Sequence, residues 1–163
     1  MARRANSMQP RATKAAVPEE IRSRAGVGRI DYEVAFCVVA DPVDRRSAER
    51  WARAMYESPP AVERLFVWYG WKALTARLGP YPSKDHVLGY RIEANEQDYI
   101  RFSVEWALGL ACDLVLHTGP STATLASFVQ FERPAARFVW PAVIPIHERI
   151  VRRWLSRAAQ TGE

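Results

Sequence analysis

The last stretch of the chain, Pro134 to Gln160 (PAARFVWPAVIPIHERIVRRWLSRAAQ), is its longest helical signal. At about 100° per residue, Val143, Ile146, His147, Ile150, Val151, Trp154, Leu155 and Ala158 share one broad face. Arg149, Arg152, Arg153 and Arg157 fall on or beside the other. A helix patterned in this way must cover an apolar surface. Pro141 and Pro145 interrupt its first part, and each removes a backbone N–H and crowds the preceding turn. The spacing therefore predicts a separate or kinked segment over 135–144 and a regular helix starting at Pro145, with proline in the first helical position.

The surface to be covered reads as a sheet. Four strand-like runs precede the helix, over 87–93, 99–106, 111–117 and 122–132. In YIRFSVEW, Ile100, Phe102, Val104 and Trp106 alternate with Arg101, Ser103 and Glu105. Short strands joined by tight turns predict an antiparallel meander with one apolar face. An earlier run over 31–40, DYEVAFCVVA, predicts a first strand that is partly apolar on both faces. Two helices separate it from the meander. Ser47 is suited to cap the first, AERWARAMYE, with Trp51, Ala54 and Met55 on one side. Ser58-Pro59-Pro60 stops it and starts a second helix, AVERLFVWYGWKALTARL. That helix carries one apolar stripe of Val62, Leu65, Phe66, Tyr69 and Ala73, and a second of Val67, Trp68, Trp71, Leu74 and Leu78. A helix so broadly apolar is buried, lines a cavity or meets a partner.

This order defines an α+β helix-grip arrangement: a curved antiparallel sheet wrapping a long C-terminal helix, with a helical pair after the first strand. One such domain is expected over 29–160. Residues 1–28 have no periodicity and few large apolar side chains, which predicts a disordered basic tail with at most a helical turn after Pro18. Residues 1–29 hold seven basic and two acidic side chains, whereas the rest of the chain holds sixteen of each. The net charge of +5 thus belongs to the tail, and the domain has no basic composition suited to sequence-specific nucleic-acid binding. Cys37 and Cys112 lie in predicted strands and read as buried, reduced thiols, consistent with a cytoplasmic setting. No apolar run is long enough for a transmembrane segment, and the basic N-terminus lacks the apolar region of a secretory signal.

The first strand DYEVAFCV, the WARAMYESPP helix with its Pro-Pro break, the strand YIRFSVEW and the ending FVWPAVIPIHERIVRRWLSRA resemble the START-like (SRPBCC) superfamily. More narrowly, they resemble a bacterial branch of it without assigned function. A Pro-x-His step, here Pro145-Ile146-His147, opens the last helix of that branch, and the basic amphipathic run Ile150–Arg157 follows. The superfamily commonly has six or seven strands against the five read above, which directs attention to a further strand near 81–89 or to unusual pairing of 122–132. The resemblance implies a cavity between sheet and helix that takes an apolar small molecule. Relatives include carriers, regulators, cyclases and hydrolases, and the fold does not choose among them.

With sheet and helix facing each other, the expected ligand-binding residues are Trp106, Phe102, His147, Ile150, Trp154, Tyr69 and Phe66. His147, on the apolar face, is the candidate acid/base. His86 and His117 are far apart in sequence, and no ligand spacing for a metal appears. Glu105 and Asp113, with Arg101 beside them, are placed on the solvated sheet face. No nucleophile elbow or glycine-rich phosphate loop occurs, so no cofactor is expected. Three readings follow. The first is non-catalytic binding of an apolar or amphipathic (lipophilic) small molecule. The second is a protein–protein interaction module or homodimer with a filled core, using Trp68, Trp71 and the arginine face. The third is a cyclase- or hydrolase-like enzyme working through His147.

Overall fold

Seven antiparallel strands form one sheet in the computed structural model, which describes residues 9–41 and 44–161. The elements are β1 (Thr13–Ala15), α1 (Glu19–Arg22), β2 (Tyr32–Val39), α2 (Ala48–Glu57), α3 (Ala61–Ala73), β3 (His86–Val87), β4 (Tyr90–Asn95), β5 (Tyr99–Trp106), β6 (Leu110–Thr118), β7 (Thr122–Phe131) and α4 (Pro134–Gln160). The spatial order is β1-β2-β7-β6-β5-β4-β3. The class is α+β, with the long C-terminal helix and the α2–α3 pair laid over the meander. Helix α4 contacts α2, β2 and β7.

The meander forms where alternation predicts it. Ile100, Phe102, Val104 and Trp106 are all buried on the inner face, while Glu105 between them is exposed. The apparent single strand over 87–93 is a two-strand hairpin. Leu88 (φ 45°) and Gly89 (φ 82°) make a two-residue turn between β3 and β4, as right-twisted hairpins prefer. A Cβ on Gly89 would lie 2.6 Å from the Trp68 ring, so the glycine also admits that indole. The resulting β3 is the further strand sought near 81–89.

In α2, the Ser47 hydroxyl accepts a hydrogen bond from the Arg50 backbone N–H at 3.3 Å, capping the helix as expected. Its buried side is Trp51, Ala52, Met55 and Tyr56, with Ala54 only half-buried, so the helix is rotated slightly from the expected phase. Helix α3 ends at Ala73 instead of Leu78, with Thr75 in the left-handed region (φ 68°).

Two expectations are overturned. Helix α4 runs unbroken from Pro134 through both internal prolines. Each interior proline costs about 3 kcal/mol, but Ala136 and Trp140 before them and His147 after them are all buried. Arg137 and Pro141, whose carbonyls lose their i+4 N–H partners, are exposed, so water can satisfy those carbonyls. Packing on one side and solvation on the other keep the helix continuous.

The second correction concerns the expected tail. Its first eight residues, like Pro42 at the end of the first predicted strand, lie outside the described residues. Residues 9–28, however, are structured. Strand β1 pairs with β2, the Ala12 N–H donates to Ser156 Oγ at 2.8 Å, and Lys14 pairs with Glu148 at 2.8 Å. Ile21 of α1 is buried in a small second core with Ala35, Val115, Ala126 and Phe128, joined by Val17, Val27 and Ile30. Beyond α1, the Arg29 N–H reaches Gln130 at 3.1 Å. The physical reason lies in the sheet: β2, β6 and β7 carry apolar side chains on both faces, so the outer face needs a cover as well. Arg22 pairs with Glu33 (2.5 Å) and Arg29 with Asp31 (2.9 Å).

Candidate functional site

Below α3, the inner sheet face and α4 enclose a cavity of about 20 Å³. That is room for about one water molecule. Trp106 and Leu114 come from the sheet, His147 and Trp154 from α4, Tyr56 from α2 and Trp71 from α3. The walls are aromatic and interlocked. Trp71 meets Trp106 edge-on at 5.5 Å, and the His147 ring lies 5.4 Å from Trp140. Tyr56 packs edge-on against both Phe102 (5.3 Å) and Trp154 (5.8 Å).

Four buried polar atoms on this wall have no hydrogen-bond partner: Tyr56 Oη, Trp71 Nε1, Trp140 Nε1 and His147 Nδ1. Among the described residues only two other side-chain atoms share that condition, on Arg24 and Arg64. The Trp71 indole lies near the Tyr90 phenol and tempers its acidity shift, but without the geometry of a hydrogen bond. Each buried, unpaired group costs about 1–3 kcal/mol. The set offers two indole donors, a hydroxyl able to donate or accept, and an imidazole nitrogen whose role depends on tautomer.

The cavity is electrically neutral. Burial pushes the Tyr56 and Tyr90 phenols and the Cys112 thiol up. Burial likewise pushes His147 down to about 4, only weakly opposed by Glu148. At neutral pH the ring is therefore uncharged. The Glu148 carboxylate accepts from Lys14 (2.8 Å) and Tyr32 (3.1 Å), and no carboxylate orients the His147 ring among the described residues.

Of the residues expected to bind a ligand, Trp106, His147, Ile150 and Trp154 line the cavity. Phe102 is fully buried behind it, stacked on Tyr90 at 6.0 Å. Phe66 and Tyr69 do not reach it. They are 66% and 67% exposed, because α3 turns its 63–67–71 side inward and its 62–66–69 side to solvent. Either stripe could have faced the core on apolar content alone. Tyr56, Trp71 and Trp140 complete the polar set. Tyr56 was discoverable from its spacing to Trp51 and Ala52, and Trp140 from its place two helical turns before His147.

Elsewhere, Asp113 is buried and not solvated. It accepts from the Gly26 N–H and lies 3.4 Å from Arg101, and burial raises its pKa against both partners. Glu105 stays exposed and faces Arg77 at 3.7 Å. His117 lies 3.8 Å from both Glu20 and Asp98, and His86 contacts Ser83 at 3.1 Å, so both are half-buried. Cys112 is buried, whereas Cys37 is only partly so. Among the described residues, no group of three His, Cys, Asp or Glu side chains could hold a metal, and no helix is long and apolar enough to cross a membrane.

No protein-family model matches the chain, and no curated protein matches it. Similar solved structures exist. One is a protein from Arthrobacter aurescens, 12% identical over 82% of this chain and 92% of its own, with a TM-score of 0.43. Another is CalU16 from Micromonospora echinospora, 10% identical over 98% of this chain and 79% of its own, TM-score 0.44. A third is the hypothetical protein jhp0584 from Helicobacter pylori, 10% identical over 91% and 95%, TM-score 0.41. Likeness at this level carries no conclusion about function.

Proposed function

We propose that the protein binds, without catalysing a reaction, an apolar or amphipathic small molecule between the inner sheet face, α4 and α3. The observation that carries this reading is the set of four unpartnered polar atoms, from Tyr56, Trp71, Trp140 and His147, gathered at one apolar cavity. A neutral acceptor on the ligand, such as a carbonyl or ether oxygen, would satisfy the indole donors and repay their burial. The START-like resemblance supports the same place. The closed cavity holds only about 20 Å³, so entry requires α3 to move outward. Only Val67 of α3 is buried, which makes this helix the wall most easily displaced.

Native mass spectrometry of the purified protein tests the reading by revealing a retained molecule, and tryptophan fluorescence follows its uptake. Trp140→Phe is a sharper probe. It removes an unpaired donor, so the unliganded protein keeps or gains stability, by up to about 1 kcal/mol. Binding of the retained compound should weaken by about tenfold. No retained compound and no uptake of any lipophilic probe would remove the proposal.

One observation favours a second reading, a homodimer formed through α3: Val62, Leu65, Phe66 and Tyr69 are large, apolar and exposed. Light scattering should then give a dimer mass that Phe66→Asp reduces to that of a monomer. A monomer at all concentrations ends this reading.

A further inference from the structure

Helix α3 borders a second, separate depression on its other side. With the loop leading to β3 it forms a groove of about 350 Å³, within the roughly 300–1,000 Å³ usual for small-molecule sites. Leu65, Trp68 and Tyr69 line it from α3, and Tyr81 and Leu88 line it from the opposite bank. The walls are mostly apolar, and Arg64 is the one charged residue among them.

Arg64 is poised but incompletely used. Its Nη1 donates to the Tyr81 hydroxyl, and the guanidinium lies 5.8 Å from the Tyr81 ring centre. Its Nε is buried with no hydrogen-bond partner. The one acid of α3, Glu63, is engaged elsewhere, by Arg153 (2.8 Å), Trp154 (3.0 Å) and Arg157 (3.3 Å). Lys72, 5.8 Å from the Trp68 ring centre, adds a second positive charge nearby. Trp68 is held in place, because its ring packs against Gly89, where no side chain would fit. An apolar trough with one cation and no acid complements an apolar body that carries one anionic group. Arginine takes a carboxylate by charge-assisted hydrogen bonds.

We infer that this groove binds a small amphipathic carboxylate, acyl or aryl, with its carboxylate on Arg64 and its body along Leu65, Trp68 and Leu88. The inference does not depend on the core cavity, since the two sites share only the helix between them.

The test is a titration of the 15N-labelled full chain with decanoate, and with decanol as the uncharged probe. Decanoate should produce saturable shifts at amides of residues 61–69 and 81–89 and at the Trp68 indole, leaving the Trp140 indole unmoved. Decanoate should bind at least about tenfold tighter than decanol, as expected for a charged hydrogen bond. Arg64→Gln should erase that preference and Arg64→Lys restore part of it. Leu65→Asp, an exposed change that leaves Arg64 in place, should weaken decanoate by like-charge repulsion. Equal affinities for the two probes, shifts confined to α4 and β5, or no saturation would each overturn the inference. Shifts in α3 that depend on protein concentration without ligand would also overturn it, by making this face an interface between copies.

Discussion

Trp154→Ala lowers stability by about 3–5 kcal/mol, the range for truncating a fully buried tryptophan, and releases α3 from the body of the protein. Trp154 is buried at the junction of three helices. Its ring meets Tyr56 of α2 edge-on at 5.8 Å, and its indole N–H donates to Glu63 of α3 at 3.0 Å. Burial alone would raise the Glu63 pKa, but the hydrogen bonds from Trp154 and Arg157 prevail and hold it below the ordinary value. Glu63 is thus the polar tie between α3 and α4, while Val67 is the one buried residue of α3. Urea unfolding measures the stability loss, and amide hydrogen exchange reads the release of α3. Trp154→Phe separates the two effects. It keeps most of the ring volume and loses only the bond to Glu63, at a cost of about 1 kcal/mol, yet exchange in α3 should still accelerate. Unchanged exchange in the phenylalanine variant would mean that α3 is held by its apolar contacts alone, and would weaken the case for its outward motion.

The inner half of this architecture was readable from the sequence because alternation is a strong signal where every second residue is polar. Strand β5 shows it: Arg101, Ser103 and Glu105 leave no choice for the face that Phe102 and Trp106 take. The outer half was not readable in the same way. Strands β6 and β7 are apolar on both sides, and the cover for Val115 and Phe128 comes from Ile21 and its scattered neighbours, too widely spaced to form a pattern. Helix α3 fails for a related reason. With apolar residues all round, its phase is set by where Glu63 finds Arg153, Arg157 and Trp154, a tertiary fact. The breaks expected at Pro141 and Pro145 follow from a local rule that burial of Trp140 and His147 overrides. As for the candidate site, the aromatic walls were visible as residue types, and His147 was visible as a polar residue on an apolar face. That four residues lining one cavity each keep a buried polar atom without a partner depends on side-chain geometry to which periodicity is blind.

The buried imidazole should make the protein acid-sensitive well above the range where carboxylates titrate. Burial pushes His147 from its ordinary 6.5 down to about 4. As the pH falls below 6.5, the unfolded chain takes up a proton at this position and the folded chain does not. The stability contributed by the neutral ring is therefore complete above pH 6.5 and is lost progressively toward pH 4. The slope approaches about 1.4 kcal/mol per pH unit, and the whole window is worth about 3 kcal/mol. Carboxylates contribute with either sign. Glu63 and Glu148 have lowered pKa values, so their contribution is lost only as the pH falls below the ordinary 4.5. Asp113, raised by burial, works in the opposite direction: the folded chain takes up its proton first and gains stability as the pH falls toward 3.8. Urea midpoints between pH 7.5 and 5.5 sample the upper part of the His147 window. The native chain should lose stability over the lower part of that range, and His147→Leu, which also removes the unpaired Nδ1, should stay nearly level. A variant as steep as the native chain would mean that the acid sensitivity does not come from the His147 ring.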